Sequence, residues 1–155
     1  MAFYQFKREQ KLRAGKDEIW DFISSPRNLK EITPDYMGFD ITTENLPEKM
    51  YPGMIISYKV SPLPGFKTTW VTEITQVRNG EFFIDEQRMG PYKLWHHQHH
   101  IERIEGGTLM KDIVSYIPPF GFLGNWANGI IIKKKLEEIF AYRKIALEER
   151  YGKWD

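Results

Sequence analysis

Apolar and polar residues alternate with a period of two over most of this chain, and the period becomes helical only toward the C-terminus. Residues 3–12 carry Phe3, Gln5, Lys7 and Glu9 on one parity and Tyr4, Phe6, Arg8 and Gln10 on the other, which predicts a first strand with an exposed face, ended by Ala14-Gly15. Ile19, Trp20 and Ile23 then fall at helical spacing behind Asp17 and Glu18, acids that suit the positive end of a helix dipole. Ser25-Pro26 breaks this helix. Pro26 suits the first turn of a second short helix over 27–32, closed by Thr33-Pro34.

Six strand-like runs follow, at 37–43, 54–60, 68–77, 81–88, 92–104 and 108–117. The breaks between them include Asn79-Gly80, Gly90-Pro91 and Gly106-Gly107, compositions that make turns. From 123 to 149 the apolar stripe Ile132, Leu136, Ile139, Phe140 and Leu147 predicts a helix about 40 Å long at 1.5 Å per residue. Arg143 is alone among charged residues on that stripe and is expected to snorkel or to pair with a carboxylate. A meander must cover its apolar face, and this helix is the one long amphipathic element left to do so. The expected architecture is α+β: a curved antiparallel sheet of about seven strands gripping a C-terminal helix, with a cavity between them, as a single domain over 1–155.

Composition narrows the function more than the fold. Lys+Arg 22 against Asp+Glu 21 gives a net charge of +1, so no long-range field exists to gather nucleic acid. Lys133-Lys134-Lys135 fan across about 200° of a helix and read as a solvated face rather than a phosphate clamp. Zero cysteines exclude thiolate catalysis and Cys-ligated zinc and are compatible with a reducing compartment. No apolar run approaches the roughly 20 residues of a membrane span, and the expectation is a cytoplasmic protein without stable membrane insertion. The aromatic content of 15%, with five Trp, is enough to build both a core and the walls of an apolar pocket.

The order of elements, together with Phe83-x-Asp85-x-Gln87, Gly90-Pro91-Tyr92, Trp95-x-His97-x-His99-x-Ile101 and Gly107-Thr108-x-x-x-Asp112-x-Val114-x-Tyr116, resembles the START-like (SRPBCC) helix-grip superfamily, in particular a small bacterial branch of it. The likeness in element order covers essentially the whole chain, and the specific motif covers 83–116. Members of the superfamily include birch-pollen-allergen-type proteins, lipid-transfer START domains, coenzyme-Q-binding proteins and polyketide aromatase/cyclases. The branch is also similar to a domain attached to sugar-nucleotide-epimerase-like proteins and labelled as a cell-division inhibitor, a label that implies little about mechanism. What the resemblance implies is a cavity for a lipid, quinone, sterol or polyketide-like molecule; it implies no cofactor.

Strand parity selects the chemistry. Trp95, His97, His99 and Ile101 share one face, and their bulkier apolar ends place it inward, leaving His96 and His100 toward solvent. A two-residue turn at Glu105-Gly106 or Gly106-Gly107 brings Asp112, Val114 and Tyr116 to the same face. A three-residue loop at Met89-Gly90-Pro91 adds Asp85 and Gln87, whereas a two-residue loop reverses them. Buried histidine and carboxylate must be partnered, by one another in a network that fixes register or by a ligand. A zinc ion between His97 and His99, whose Cβ atoms would lie about 6.5 to 7 Å apart, with Asp112 or Asp85 third, is a sharper alternative; a neutral His bonded to Asp uses the same residues without metal.

The expected pocket is walled by Trp70, Phe83, Trp95, Trp126 and Ile130, with Phe120 at its rim and His97, His99 and Asp112 orienting a ligand. The rim loops Pro62-Leu63-Pro64-Gly65-Phe66 and Ile117-Pro118-Pro119-Phe120-Gly121-Phe122 are apolar, as an entrance or a plug would be. The apolar start of the long helix lines the cavity or meets a second subunit in a homodimer. Two rivals remain at this level: a cyclase- or hydrolase-type enzyme with His97 or His99 as acid/base and Asp112 beside it, and an interaction module using the rim. No serine or cysteine nucleophile motif supports a covalent intermediate.

Overall fold

In the computed structural model, residues 2–63, 65–119 and 128–155 are described, the side chains of Leu63, Asn128 and Gly129 excepted. Strand β1 (Tyr4–Leu12) leads into helix α1 (Lys16–Ile23), two 3-10 turns (Pro26–Ile32 and Asp35–Met37) and the strands β2 (Asp40–Ile41), β3 (Met54–Leu63), β4 (Phe66–Arg78), β5 (Phe82–Met89), β6 (Leu94–Ile104) and β7 (Gly107–Ile117). A π turn (Asn128–Ile132) precedes the final helix α2 (Lys133–Tyr151). The strands form one antiparallel sheet in the order β1-β7-β6-β5-β4-β3-β2. The fold is the α+β helix grip.

Two hairpins set the faces that matter. β6 turns into β7 through Glu105-Gly106, with Ile104 paired to Gly107, which places His99 opposite Asp112 and His97 opposite Val114. Glycine is required at this corner: Gly106 has φ +81°, and a Cβ on Gly107 would lie 2.0 Å from the Leu12 carbonyl oxygen. Between β5 and β6, Phe83 pairs with His99 and Asp85 with His97, so odd positions share a face. The register therefore follows the three-residue-loop parity, although the connection out of β5 spans Gly90–Lys93.

α2 buries Leu136, Phe140, Arg143 and Leu147, one face at helical spacing, and leaves Ile139 half-buried. One core cluster joins Leu12, Ile19, Ile23, Ile56, Ile74 and Leu147; another joins Phe6, Val114, Tyr116, Leu136 and Phe140 beneath α2. Each such aliphatic or aromatic side chain contributes about 1.5–3 kcal/mol by leaving water.

Two expectations need correction. The strand expected at 37–43 shrinks to Asp40–Ile41, because Pro34 opens a 3-10 turn that takes up Met37. The α-helix proper has 19 residues, about 28 Å at 1.5 Å per residue, behind the π turn; residues 123–127 of the expected helix lie outside the described ones. Ile130 and Ile131, off the stripe of Leu136, Phe140, Arg143 and Leu147, face solvent at 55% and 39% exposure, and Ile130 does not line the cavity.

Candidate functional site

Four strand residues and one helix residue form a buried polar cluster under α2. His97 Nε2 lies 2.8 Å from Asp112 Oδ1, and His99 Nε2 lies 2.6 Å from Asp85 Oδ2. His99 Nδ1 is 3.3 Å from Asp112 Oδ1, and Arg143 Nη1, reaching down from α2, is 3.4 Å from the same oxygen. The imidazole rings stand 3.6 Å apart, and Phe83 stacks on the other side of His99 at 4.0 Å. Both histidines, Asp112 and Arg143 are buried.

Burial pushes His97 down to about 4, with the charge on His99 acting in the same sense, against the pull of Asp112 and Asp85. Burial also opposes the charge on His99, but hydrogen bonds to Asp112 and Asp85 outweigh it and raise this residue above 6.5. For Asp112, burial is overcome by Arg143 and by hydrogen bonds from the two histidines, which hold it well below the usual carboxylate range. Asp85 is lowered too, against burial, chiefly by its bond to His99. At neutral pH His97 is neutral, and the two carboxylates face the Arg143 guanidinium and a His99 that their hydrogen bonds make more basic than a free imidazole. Since Asp112 can only accept, His97 donates from Nε2 and keeps a lone pair on Nδ1, 3.7 Å from Asp85 Oδ2.

The cluster floors a cavity of about 170 Å³ between sheet and helix. Trp70, Phe83, Asp85, Trp95, His97 and His99 line it, as do Arg143, Phe140 and Ile139 from α2. Trp70 and Trp95 meet edge to face at 5.3 Å, and Tyr92 packs on both. Trp70 Nε1 and Arg143 Nε are buried without a hydrogen-bond partner among the described residues.

The other residues singled out from the sequence have different places. Asp112 stands behind the histidines rather than on the cavity wall. Val114 and Tyr116 are 0% and 2% exposed in the core beneath α2. Gln87 turns away to the loop after β5, where its amide donates to the Tyr92 carbonyl at 2.6 Å and accepts from the Tyr92 N–H at 3.1 Å; it does not line the cavity. Phe120 and Trp126 lie outside the described residues. His96 and His100, on the opposite face, are half-buried and bond Glu86 at 2.7 Å and Gln98 at 3.0 Å.

Several wall residues were not singled out from the sequence. Tyr58 and Thr72 project from β3 and β4 at the alternating positions of Val60 and of Trp70 and Ile74. Met37 and Phe39 come from the 3-10 turn and the residues after it, before β2, where no alternation marks them. Arg143 did carry one, as a charge on an apolar stripe, but its partner Asp112 could not be named before the register was known.

Residues 13–139 match the family described as polyketide cyclase/dehydrase and lipid transport. No curated protein matches the chain. Among solved structures, Ara h 8.0201 is similar at 13% identity with a TM-score of 0.60, over 96% of this chain and 99% of that one. A protein of Thermus thermophilus is similar at 12% identity and TM-score 0.70, covering 95% and 96%. Ginseng major latex-like protein 151 of Panax ginseng is similar at 9% identity and TM-score 0.66, covering 96% and 97%. At these identities the likeness speaks for the fold. No helix among the described residues is long and apolar enough to cross a membrane. With the family match spanning well over half of its length, the chain belongs to the polyketide cyclase/dehydrase and lipid transport family, and its helix grip is a ligand-binding fold.

Proposed function

We propose that the protein binds and carries a small amphipathic molecule, lipid-, quinone-, sterol- or polyketide-like in character, with its polar end on the His–Asp cluster and its apolar part among the aromatic walls. The observation that carries this reading is a His–Asp–Arg cluster opening onto a largely apolar cavity, in which two buried donors, Trp70 Nε1 and Arg143 Nε, have no partner among the described residues. A buried donor left unpaired costs about 1–3 kcal/mol, and a ligand oxygen beside it would recover that. A cavity of about 170 Å³ is close to the roughly 150 Å³ of an apolar cavity that takes up benzene, so a single ring or a short chain suits it better than a whole sterol.

A general base works best with a pKa near the working pH, and His97 at about 4 is too weak. An acid–base role in this cavity would therefore fall to His99, which Asp85 and Asp112 hold by hydrogen bonds.

Trp70 and Trp95 report on the cavity directly. Titrating the protein with 4-hexylphenol, a ring with one polar end, is expected to give a saturable change in tryptophan fluorescence. Val60→Phe, which adds a ring to the cavity wall, is expected to weaken that binding at least about tenfold at a fold cost of about 1–3 kcal/mol. An identical response from both proteins would count against the cavity as the site.

A further inference from the structure

We propose that Asp85, His97 and His99 form a binding site for a divalent transition-metal ion of the zinc type, open toward the cavity. This goes beyond small-molecule carriage and holds whether or not an organic ligand is bound.

Each of the three residues offers a ligand atom, and these atoms lie within 4.8 Å of one another. Around a tetrahedral ion with bonds of about 2.0–2.1 Å, ligand atoms are separated by roughly 3.3 Å. Asp85 Oδ2 sits 2.6 Å from His99 Nε2 and 3.7 Å from His97 Nδ1, which straddles that spacing, and all three ligand atoms lie within 4.8 Å, so side-chain adjustment about fixed strands would close the site. All three ligands stand on paired strands, with Asp85 opposite His97 in the register, so the strand pairing holds them near their final positions before any ion arrives.

The surroundings fit as well as the ligands do. Metal-bound histidines usually donate their second N–H to a carboxylate, which fixes the ring and raises its basicity. Asp112 takes this place for His97, 2.8 Å from Nε2, and the same oxygen lies 3.3 Å from His99 Nδ1, which Arg143 Nη2 also approaches at 3.5 Å. That leaves His97 Nδ1 and His99 Nε2, the two atoms that face Asp85, for the ion. Arg143 offsets the charge of Asp112, so with neutral histidines the set carries one net negative charge. Two histidines and one carboxylate leave at least one coordination position free, and here it would open onto the cavity.

The test uses metal alone. Chelator-treated protein titrated with Co²⁺ is expected to bind one equivalent, with the intense visible absorption of a low-coordinate site, and to release it to Zn²⁺. Asp85→Asn and His99→Gln are each expected to weaken binding by roughly 100-fold or more, and Asp112→Asn, a change in a positioning residue, by roughly 10–100-fold. His96→Ala on the opposite face is expected to leave it unchanged, and circular dichroism checks that each variant folds. Folded wild-type protein that takes up no stoichiometric Co²⁺ would overturn the proposal. So would binding that survives Asp85→Asn and His99→Gln but disappears in His96→Ala.

Discussion

Replacing Asp112 with alanine is expected to destabilise the protein by about 3–5 kcal/mol, the range for breaking a buried ion pair from one side. The carboxylate is buried and is shared by His97, His99 and Arg143, at 2.8, 3.3 and 3.4 Å. Its loss strands the Arg143 guanidinium and leaves His97 Nε2 unpartnered in a low-dielectric core, whereas an exposed ion pair such as Arg150–Glu31 has water to fall back on. Glu31→Ala is accordingly expected to cost less than about 1 kcal/mol. Adding Arg143→Met to Asp112→Ala should recover part of the loss, because the stranded guanidinium is removed as well. Urea unfolding of the four proteins measures this directly, and an Asp112→Ala loss below about 1 kcal/mol would mean that the cluster is hydrated and not buried.

The second large effect is on stability against pH in the metal-free protein. His97 titrates near 4 when folded and near 6.5 when unfolded, so between these values the unfolded chain binds more protons and stability falls as the solution is acidified. For a buried group this amounts to about 3 kcal/mol across the window. Asp85 and Asp112, both lowered in the fold from 3.8, add losses of the same sign at still lower pH. His99 works the other way: its folded value lies above 6.5, so its contribution is complete below 6.5 and is lost as pH rises through the folded value. These groups together place maximum stability near pH 6.5. Urea midpoints across the pH range are expected to show both limbs, with His97→Gln flattening the acid limb between 4 and 6.5 and His99→Gln flattening the alkaline one. An unchanged acid limb in His97→Gln would show that His97 is not held neutral in the core.

What could be read from the sequence was what local pattern encodes. Turn glycines and alternation gave the meander, and the two-residue turn before Gly107 fixed parity across β6 and β7, so His97, His99 and Asp112 could be grouped before any coordinates. Asp85 joined them on one of two loop parities. The stripe on α2 located Leu136, Phe140, Arg143 and Leu147. The misreadings fall where the two regular periods do not decide. The start of the helix is apolar nearly all round, which points Ile130 at the cavity, but it lies off the stripe of Leu136, Phe140 and Leu147 and faces solvent. Gln87 kept the inward parity, but the β5–β6 ladder ends at Glu86–His96, and its amide satisfied the loop backbone instead. Tyr58 and Thr72 share the parity of Val60 and of Trp70 and Ile74 on their strands, so alternation does carry them inward, whereas Met37 reaches the cavity by the path of the segment before β2, which alternation does not record.

The central claim is that the cavity beneath α2 holds a small organic molecule. Native mass spectrometry of the protein purified from the cells that make it, paired with solvent extraction of the same sample, tests this most directly. The expected result is one organic adduct per chain, of a mass that suits a single ring or short chain with one polar end, and absent from Val60→Phe prepared in the same way. A bare polypeptide mass in the wild-type protein, with nothing recovered by extraction, would contradict the carrier reading.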